Sequence, residues 1–105
     1  MITHTQQERI IIKKYGGKPL IKYGYDGLIR GKPVEVRSQR KDDRFRIQQD
    51  VHRDLISKGG CYIFVNRHGR SKKVSAKQVS NIIGSGKWFK DRTYPHKFIN
   101  KNKIF

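Results

Sequence analysis

The longest unbroken apolar run in the chain is Cys61-Tyr62-Ile63-Phe64-Val65. It is too short for a typical buried helix and is rich in β-branched and aromatic residues, so it reads as a strand. A strand with one wet face alternates polar and apolar residues. This one does not, so it is expected at the centre of a sheet and covered on both sides. Helices packed on a sheet supply that cover, and at 105 residues the chain is expected to form a single α/β domain, residues 1–105.

A second stretch carries the chemistry. Gly24 to Ser38 reads as two short strands joined by a turn, with Leu28 and Ile29 in the first and Val34 and Val36 in the second. Arg30-Gly31-Lys32 is turn chemistry, because Gly31 takes positive φ without strain and Pro33 cannot continue a central ladder. Side chains alternate along a strand, so Val34 and Val36 point one way, Glu35 and Arg37 the other. Asp26 stands just before the tight turn, close enough to meet Glu35. Two carboxylates converging beside a cation offer hard oxygen ligands, which suit Mg²⁺ or Mn²⁺.

Tyr25-Asp26, eight intervening residues and Glu35-Val36-Arg37 resemble the motif of the PD-(D/E)XK nuclease superfamily. In that pattern an Asp ends one strand, a short interval follows, and Glu-x-Lys lies on the next strand. Tyr25 stands where the family often has Pro, and Arg37 where it has Lys. The resemblance implies the core shared by restriction endonucleases and archaeal Holliday-junction resolvases, a mixed central sheet of about four to five strands flanked by helices. It also implies a metal-dependent endonuclease that hydrolyses DNA phosphodiester bonds, with structure selectivity as in the resolvases. Asp26 and Glu35 would then be metal ligands, with Glu8 completing the shell from the first helix. Gln48, on the helix after the Glu-x-Lys strand, would reach toward the site, and Gln49 is the adjacent match. On the residues alone Glu8 is a helix cap, and two glutamines are simply polar helix formers.

Arg37 is the departure with consequences. It can position a phosphate and offset its charge, but with a pKa above about 12 it cannot readily accept a proton. A metal-bound hydroxide, or another lysine such as Lys22 or Lys41, could compensate. Two other readings therefore stand beside the nuclease: a catalytically inactive nuclease-fold protein that binds DNA, and an unrelated small basic RNA-binding protein. The last leaves the convergence of Asp26 and Glu35 without explanation. A two-fold homodimer is the arrangement expected by analogy with enzymes that cut two strands.

The net charge of +17, from 25 Lys and Arg against 8 Asp and Glu, points to a polyanionic partner, nucleic acid and DNA first. No apolar run is long enough to span a bilayer, so no membrane is expected. Met1 is followed by polar residues and Cys61 has no second cysteine to pair with, which fits a cytoplasmic protein without a signal peptide. Cys61 itself is expected to be a buried inert thiol.

The remaining elements follow from periodicity. Residues 5–15 are expected as a helix with Thr5 as cap and Glu8 closing the box, ended by Gly16-Gly17. Pro19 to Tyr25 is the first strand. After a polar loop, a helix is expected from about Arg44 to Lys58, capped by Asp42 or Asp43, with Ile47, Val51 and Leu55 as its buried stripe and Phe45 at its flank. His52 on this helix is expected at the surface or partly packed. Arg70 to Val74 is a short exposed strand or loop, and Ser75 caps a helix over Ala76–Ile83 that turns Val79, Ile82 and Ile83 inward. From about Lys87 the chain reads as a basic, aromatic tail, in which Phe98 and Phe105 are expected to close the core. Nucleic-acid contacts are expected from Lys22, Arg40, Lys41, Arg44, Arg70, Lys72, Lys73, Lys87, Trp88 and Lys90, where cations meet phosphates and rings meet unpaired bases.

Overall fold

The computed structural model describes residues 3–20, 24–90 and 94–105. In chain order its elements are α1 (His4–Lys14), β1 (Lys18–Pro19), β2 (Gly27–Ile29), β3 (Lys32–Ser38), β4 (Arg44–Gln48), α2 (Gln49–Lys58), β5 (Cys61–Val65), β6 (Ser71–Ser75), α3 (Ala76–Ile83) and β7 (His96–Asn100), closed by a 3₁₀ turn at Lys101–Lys103. Among the described residues, five strands form a mixed sheet in the order β1-β2-β3-β5-β6, and β4 pairs with β7 in a separate ribbon. β3 and β5 run parallel, and the other neighbours run antiparallel. This is the expected α/β class, a small restriction-endonuclease-like core with helices flanking the sheet.

The β2–β3 hairpin closes on the pair Ile29↔Lys32 around Arg30 and Gly31. Both have positive φ, 52° and 77°, the handedness that matches strand twist in a two-residue turn. Pro33 stands before Val34↔Cys61, the first pair with β5, so its missing N–H leaves no gap in the parallel ladder.

Alternation then divides the core in two. Val34 and Val36 of β3 and Ile63 and Val65 of β5 pack with Ile12 of α1 and Ile29. On the other face Tyr62 and Phe64 join Phe45, Ile47, Leu55, Val79 and Ile99. The apolar run is thus the central strand expected, with Tyr62, Ile63 and Phe64 all fully buried. Truncating a ring such as Phe64 to Ala costs about 3–5 kcal/mol.

Several expectations are corrected. Arg44–Gln48 is a strand and not the first turns of a helix. Phe45 and Ile47 alternate into the core, and their period of two prevails because β7 supplies a partner, through Phe45↔Ile99 and Ile47↔Lys97. The helix begins at Gln49, where Asp42 and Asp43 do not cap it. Asp42 accepts from Arg44 (2.7 Å), and Asp43 accepts from Gln39 Nε2 and Arg67 Nη2. Residues 96–100, expected in a tail, are the strand β7 that β4 requires.

At α1 the cap is Thr3, two residues before the expected Thr5, and Gln6 in place of Glu8 takes the reciprocal bond. At α3 the box is Ser75 with Gln78, so Ser75 caps as expected. Ile82 is exposed rather than inward, while Val79 is buried. Among the described residues the first strand is Lys18–Pro19; residues 21–23 of the expected strand, Lys22 with them, lie outside the described residues. No described helix is long and apolar enough to cross a membrane.

Candidate active site

The hairpin and its parallel neighbour assemble the site. Alternation in β3 puts Glu35 and Arg37 on the same face as Tyr62 and Phe64, their partners in register on β5. Asp26 immediately precedes β2, and its Oδ2 accepts the N–H of Val36 at 2.8 Å. That backbone bond fixes the Asp26 carboxylate beside Glu35, to which it is also hydrogen-bonded.

Glu35 is 7% exposed. Its burial, then the neighbouring Asp26 charge, push its pKa up to about 8. Arg37 pulls the other way, while the hydrogen bond to Asp26 and the Glu8 charge add to the rise. Glu35 therefore tends to keep its proton near neutral pH. Glu8 has no part in the cap of α1, and it lies near enough for Glu35 to feel its charge.

Arg37 Nη2 donates to Gln48 Oε1 at 3.2 Å and lies 3.8 Å from Glu35 Oε2. Its Nε is buried and finds no hydrogen-bond partner among the described residues, so the fork keeps donors available for an acceptor. Gln48 reaches Arg37 from the end of β4, not from a helix; Gln49 is the first residue of α2.

Behind this pair lies a buried polar row. Burial raises the Tyr62 phenol far above its ordinary range; nearby Arg37 opposes the rise and Glu35 adds to it. The Tyr62 hydroxyl meets His52 Nδ1 at 3.0 Å, and His52 Nε2 meets Ser80 Oγ at 2.7 Å. His52 is thus buried and satisfied, where a surface or partly packed position was expected. Burial, with Lys97 nearby, lowers its pKa.

A cleft of about 370 Å³ opens on Glu35, walled by Tyr25 and by Asp50 and Asp54 of α2. These two stand one helical turn apart, a spacing the sequence displays but which points at Glu35 only once α2 starts at Gln49. Lys58 pairs with Asp54 at 3.2 Å and donates to the Tyr25 phenol oxygen at 2.8 Å, closing the cleft's far side.

A model of PD-(D/E)XK nuclease superfamily domains matches residues 4–103. The chain belongs to this superfamily. No curated protein and no solved structure matches it. Members are generally nucleases, and they usually use Mg²⁺ or Mn²⁺.

Whether the superfamily's ion suits these residues is a matter of donor chemistry. Among the described residues, no three His, Cys, Asp or Glu side chains gather closely enough to hold an ion alone. Asp26 and Glu35 nevertheless form a hard-oxygen pair whose mutual repulsion a cation would relieve. Mg²⁺ characteristically takes one or two carboxylates and completes its shell with water and phosphate oxygens, so two ligands are a sufficient protein share.

The basic residues expected to meet nucleic acid are dispersed over the described chain. Lys41, Arg70, Lys73 and Lys90 are exposed. Lys72 is exposed but tethered through Nζ to the Ile104 carbonyl at 3.1 Å. Arg40 and Arg44 share Asp42, at 3.4 Å and 2.7 Å. Trp88 is half-buried against the core, with Lys97 5.0 Å over its ring. The exposed ring next to Trp88 is Phe89. Phe105 packs against the core as expected, but Phe98 does not: the Arg44 and Arg40 guanidinium groups cover its ring at 4.0 Å and 4.7 Å. Cys61 is half-buried, and its pKa is raised by burial against the pull of Lys73, in keeping with an inert thiol.

Proposed function

We propose that the chain is a metal-dependent endonuclease that hydrolyses DNA phosphodiester bonds. The observation that carries this reading is the convergence of Asp26 and Glu35, with Arg37 on the same face, in a chain of net charge +17. So costly a meeting of carboxylates has no structural purpose of its own, and the hydrogen bond from Val36 holds it in place.

Asp26 and Glu35 would hold the ion, with Glu8 adding negative charge from α1. Bound there, Mg²⁺ or Mn²⁺ supplies stabilisation of phosphate charge and a more acidic water. Arg37 would place its fork on the non-bridging phosphate oxygens and stabilise the negative charge that grows on them. Gln48 holds the guanidinium from one side, which fixes its plane. Arg37 moves no proton. The dispersed surface cations attract the DNA chain, and attraction of this kind falls steeply with salt.

Arg in place of the family's Lys favours a second reading, a nuclease-fold protein that binds DNA without cutting it. Incubation of the protein with plasmid, branched DNA and RNA, in Mg²⁺, Mn²⁺ or chelator, separates the two. Metal-dependent nicking of DNA is expected. Intact DNA under every metal, with binding retained, would replace the enzyme by the binding protein.

A further inference from the structure

A groove of about 640 Å³ lies between the C-terminal end of α3 and the β4–β7 ribbon, apart from the cleft at Glu35. Phe89, His96 and Phe98 line it, with Arg44, Lys87 and Lys97 around them. No Asp or Glu among the described residues lines it. The three rings form an edge-to-face ladder, with centroids 5.4 Å apart for Phe89–His96 and 4.9 Å for His96–Phe98. Phe89 is 61% exposed, a large ring left in water.

The walls are held by bonds. Lys97 Nζ donates to the carbonyls of Gly84 (2.9 Å) and Ile83 (3.4 Å), pinning the end of α3 to β7. Phe89 and His96 exchange both backbone bonds, at 2.9 and 2.8 Å. His96 Nδ1 lies 3.0 Å from the Tyr94 carbonyl and 3.4 Å from Arg46 Nη2. Arg44 already stacks its flat guanidinium on Phe98, so the surface accepts planar groups. The groove also adjoins the active site: His96 is paired in register with Gln48, which accepts from Arg37.

Rings flanked by cations, with no lining carboxylate among the described residues, match a flat base carried on a phosphate chain. Bases inside a duplex cover one another's faces, so only an unpaired base can enter such a groove. We propose that the groove binds unpaired bases of a DNA strand whose neighbouring phosphate lies at Arg37. The substrate is then duplex DNA with a single-stranded segment beside the cut. The assignment of the cut rests on the nuclease reading above; the assignment of the groove does not.

The test measures binding in chelator, so that no strand is cut. The probes are a blunt duplex, the same duplex with a single-stranded flap carrying 2-aminopurine near the junction, and a flap whose unpaired positions are abasic. Wild type is expected to bind the flap roughly tenfold more tightly than the blunt duplex and to quench the 2-aminopurine by stacking. The abasic flap should lose that advantage. Phe89→Ala, at an exposed position, should lose both the advantage and the quenching while binding the blunt duplex as wild type does, and Phe89→Trp should restore them. Equal wild-type affinity for flap and blunt duplex, or a Phe89→Ala loss shared by both, would overturn the proposal. An RNA flap bound more tightly than the DNA flap, with the same dependence on Phe89, would overturn its assignment to DNA. Cleavage without flap preference breaks this inference alone; flap preference without cleavage under any metal breaks the nuclease reading alone.

Discussion

The cleft at Glu35 and the groove at Phe98 lie on one protein and have opposite chemistry. The cleft gathers Glu35, Asp50 and Asp54, with Asp26 and Glu8 close by, in a chain that has only 8 acidic residues and a net charge of +17. The groove is lined by cations and rings, without a carboxylate among the described residues. Average charge therefore says little about either. Carboxylates in the cleft repel one another and are kept there by backbone, through the Val36 N–H and the burial of β3. Cations in the groove are kept by ring faces and carbonyls and, for Arg44, also by an ion pair with Asp42 at 2.7 Å, a residue outside the groove lining. A region that holds like charges together against repulsion is prepared for a counter-ion, and a region that leaves a ring in water is prepared for another flat surface.

The largest expected effect separates the two regions outright. Asp26→Asn and Glu35→Gln should each lower cleavage by roughly 10²–10³-fold or more, the scale of losing one preorganised electrostatic group. Both should leave DNA affinity unchanged or slightly higher, since they remove negative charge facing phosphate. Single-turnover cleavage beside equilibrium binding reads both numbers. A parallel loss of affinity would show that the cleft and the groove do not act separately.

Arg37 stands where the two regions meet. Arg37→Ala should slow single-turnover cleavage by about 10²-fold while weakening binding less than about tenfold, because the charge it meets grows toward the transition state. Arg37→Lys should keep or raise the rate, by returning the family residue. Undiminished cleavage by Arg37→Ala would remove Arg37 from the chemistry.

A smaller effect is in stability. The folded pKa of Glu35, about 8, lies above its ordinary 4.5, so the folded state holds this proton more tightly than the unfolded one. The contribution to stability is full below about pH 4.5 and is lost as pH rises through about 8. Glu35→Gln cannot ionise, so its melting temperature relative to wild type should climb across that window by several degrees. Mn²⁺ should raise the wild-type melting temperature more at about pH 8.5 than at about pH 6, since binding requires the ionised carboxylate, and should do little for Glu35→Gln. A pH-independent difference between the two proteins would place Glu35 in a less strained setting than its burial indicates.

The smallest effect belongs to the groove's rim. Lys87→Ala should reduce the slope of log affinity against log salt by about 0.7 on single strands and leave base dependence unaltered, in contrast to Phe89→Ala. A loss confined to the unpaired substrate, with no change in slope, would give Lys87 a role other than phosphate contact.

Much of this molecule is local in origin and was legible in the sequence. The run Cys61–Val65 has no polar face to offer water, so any fold must cover it twice. Arg30-Gly31 sets the β2–β3 register, and strand alternation then brings Glu35 and Arg37 to one face. Ser75 and Gln78 cap α3 from residues three apart. Asp26, Glu35 and Arg37 meet through one hairpin and its spacing, which the sequence displays. What the tertiary structure alone decided depends on partners distant in sequence. Phe45 and Ile47 suit a helix face by spacing and a strand by alternation, and the choice falls to β7, whose Ile99 and Lys97 lie opposite them. With that choice Gln48 moves to the end of a strand beside Arg37, Asp50 and Asp54 turn toward Glu35, and Phe98 leaves the core for the arginines. The raised pKa of Glu35 is likewise a property of its neighbours, since burial and the charges of Asp26 and Glu8 come from separate elements that only the folded chain brings together.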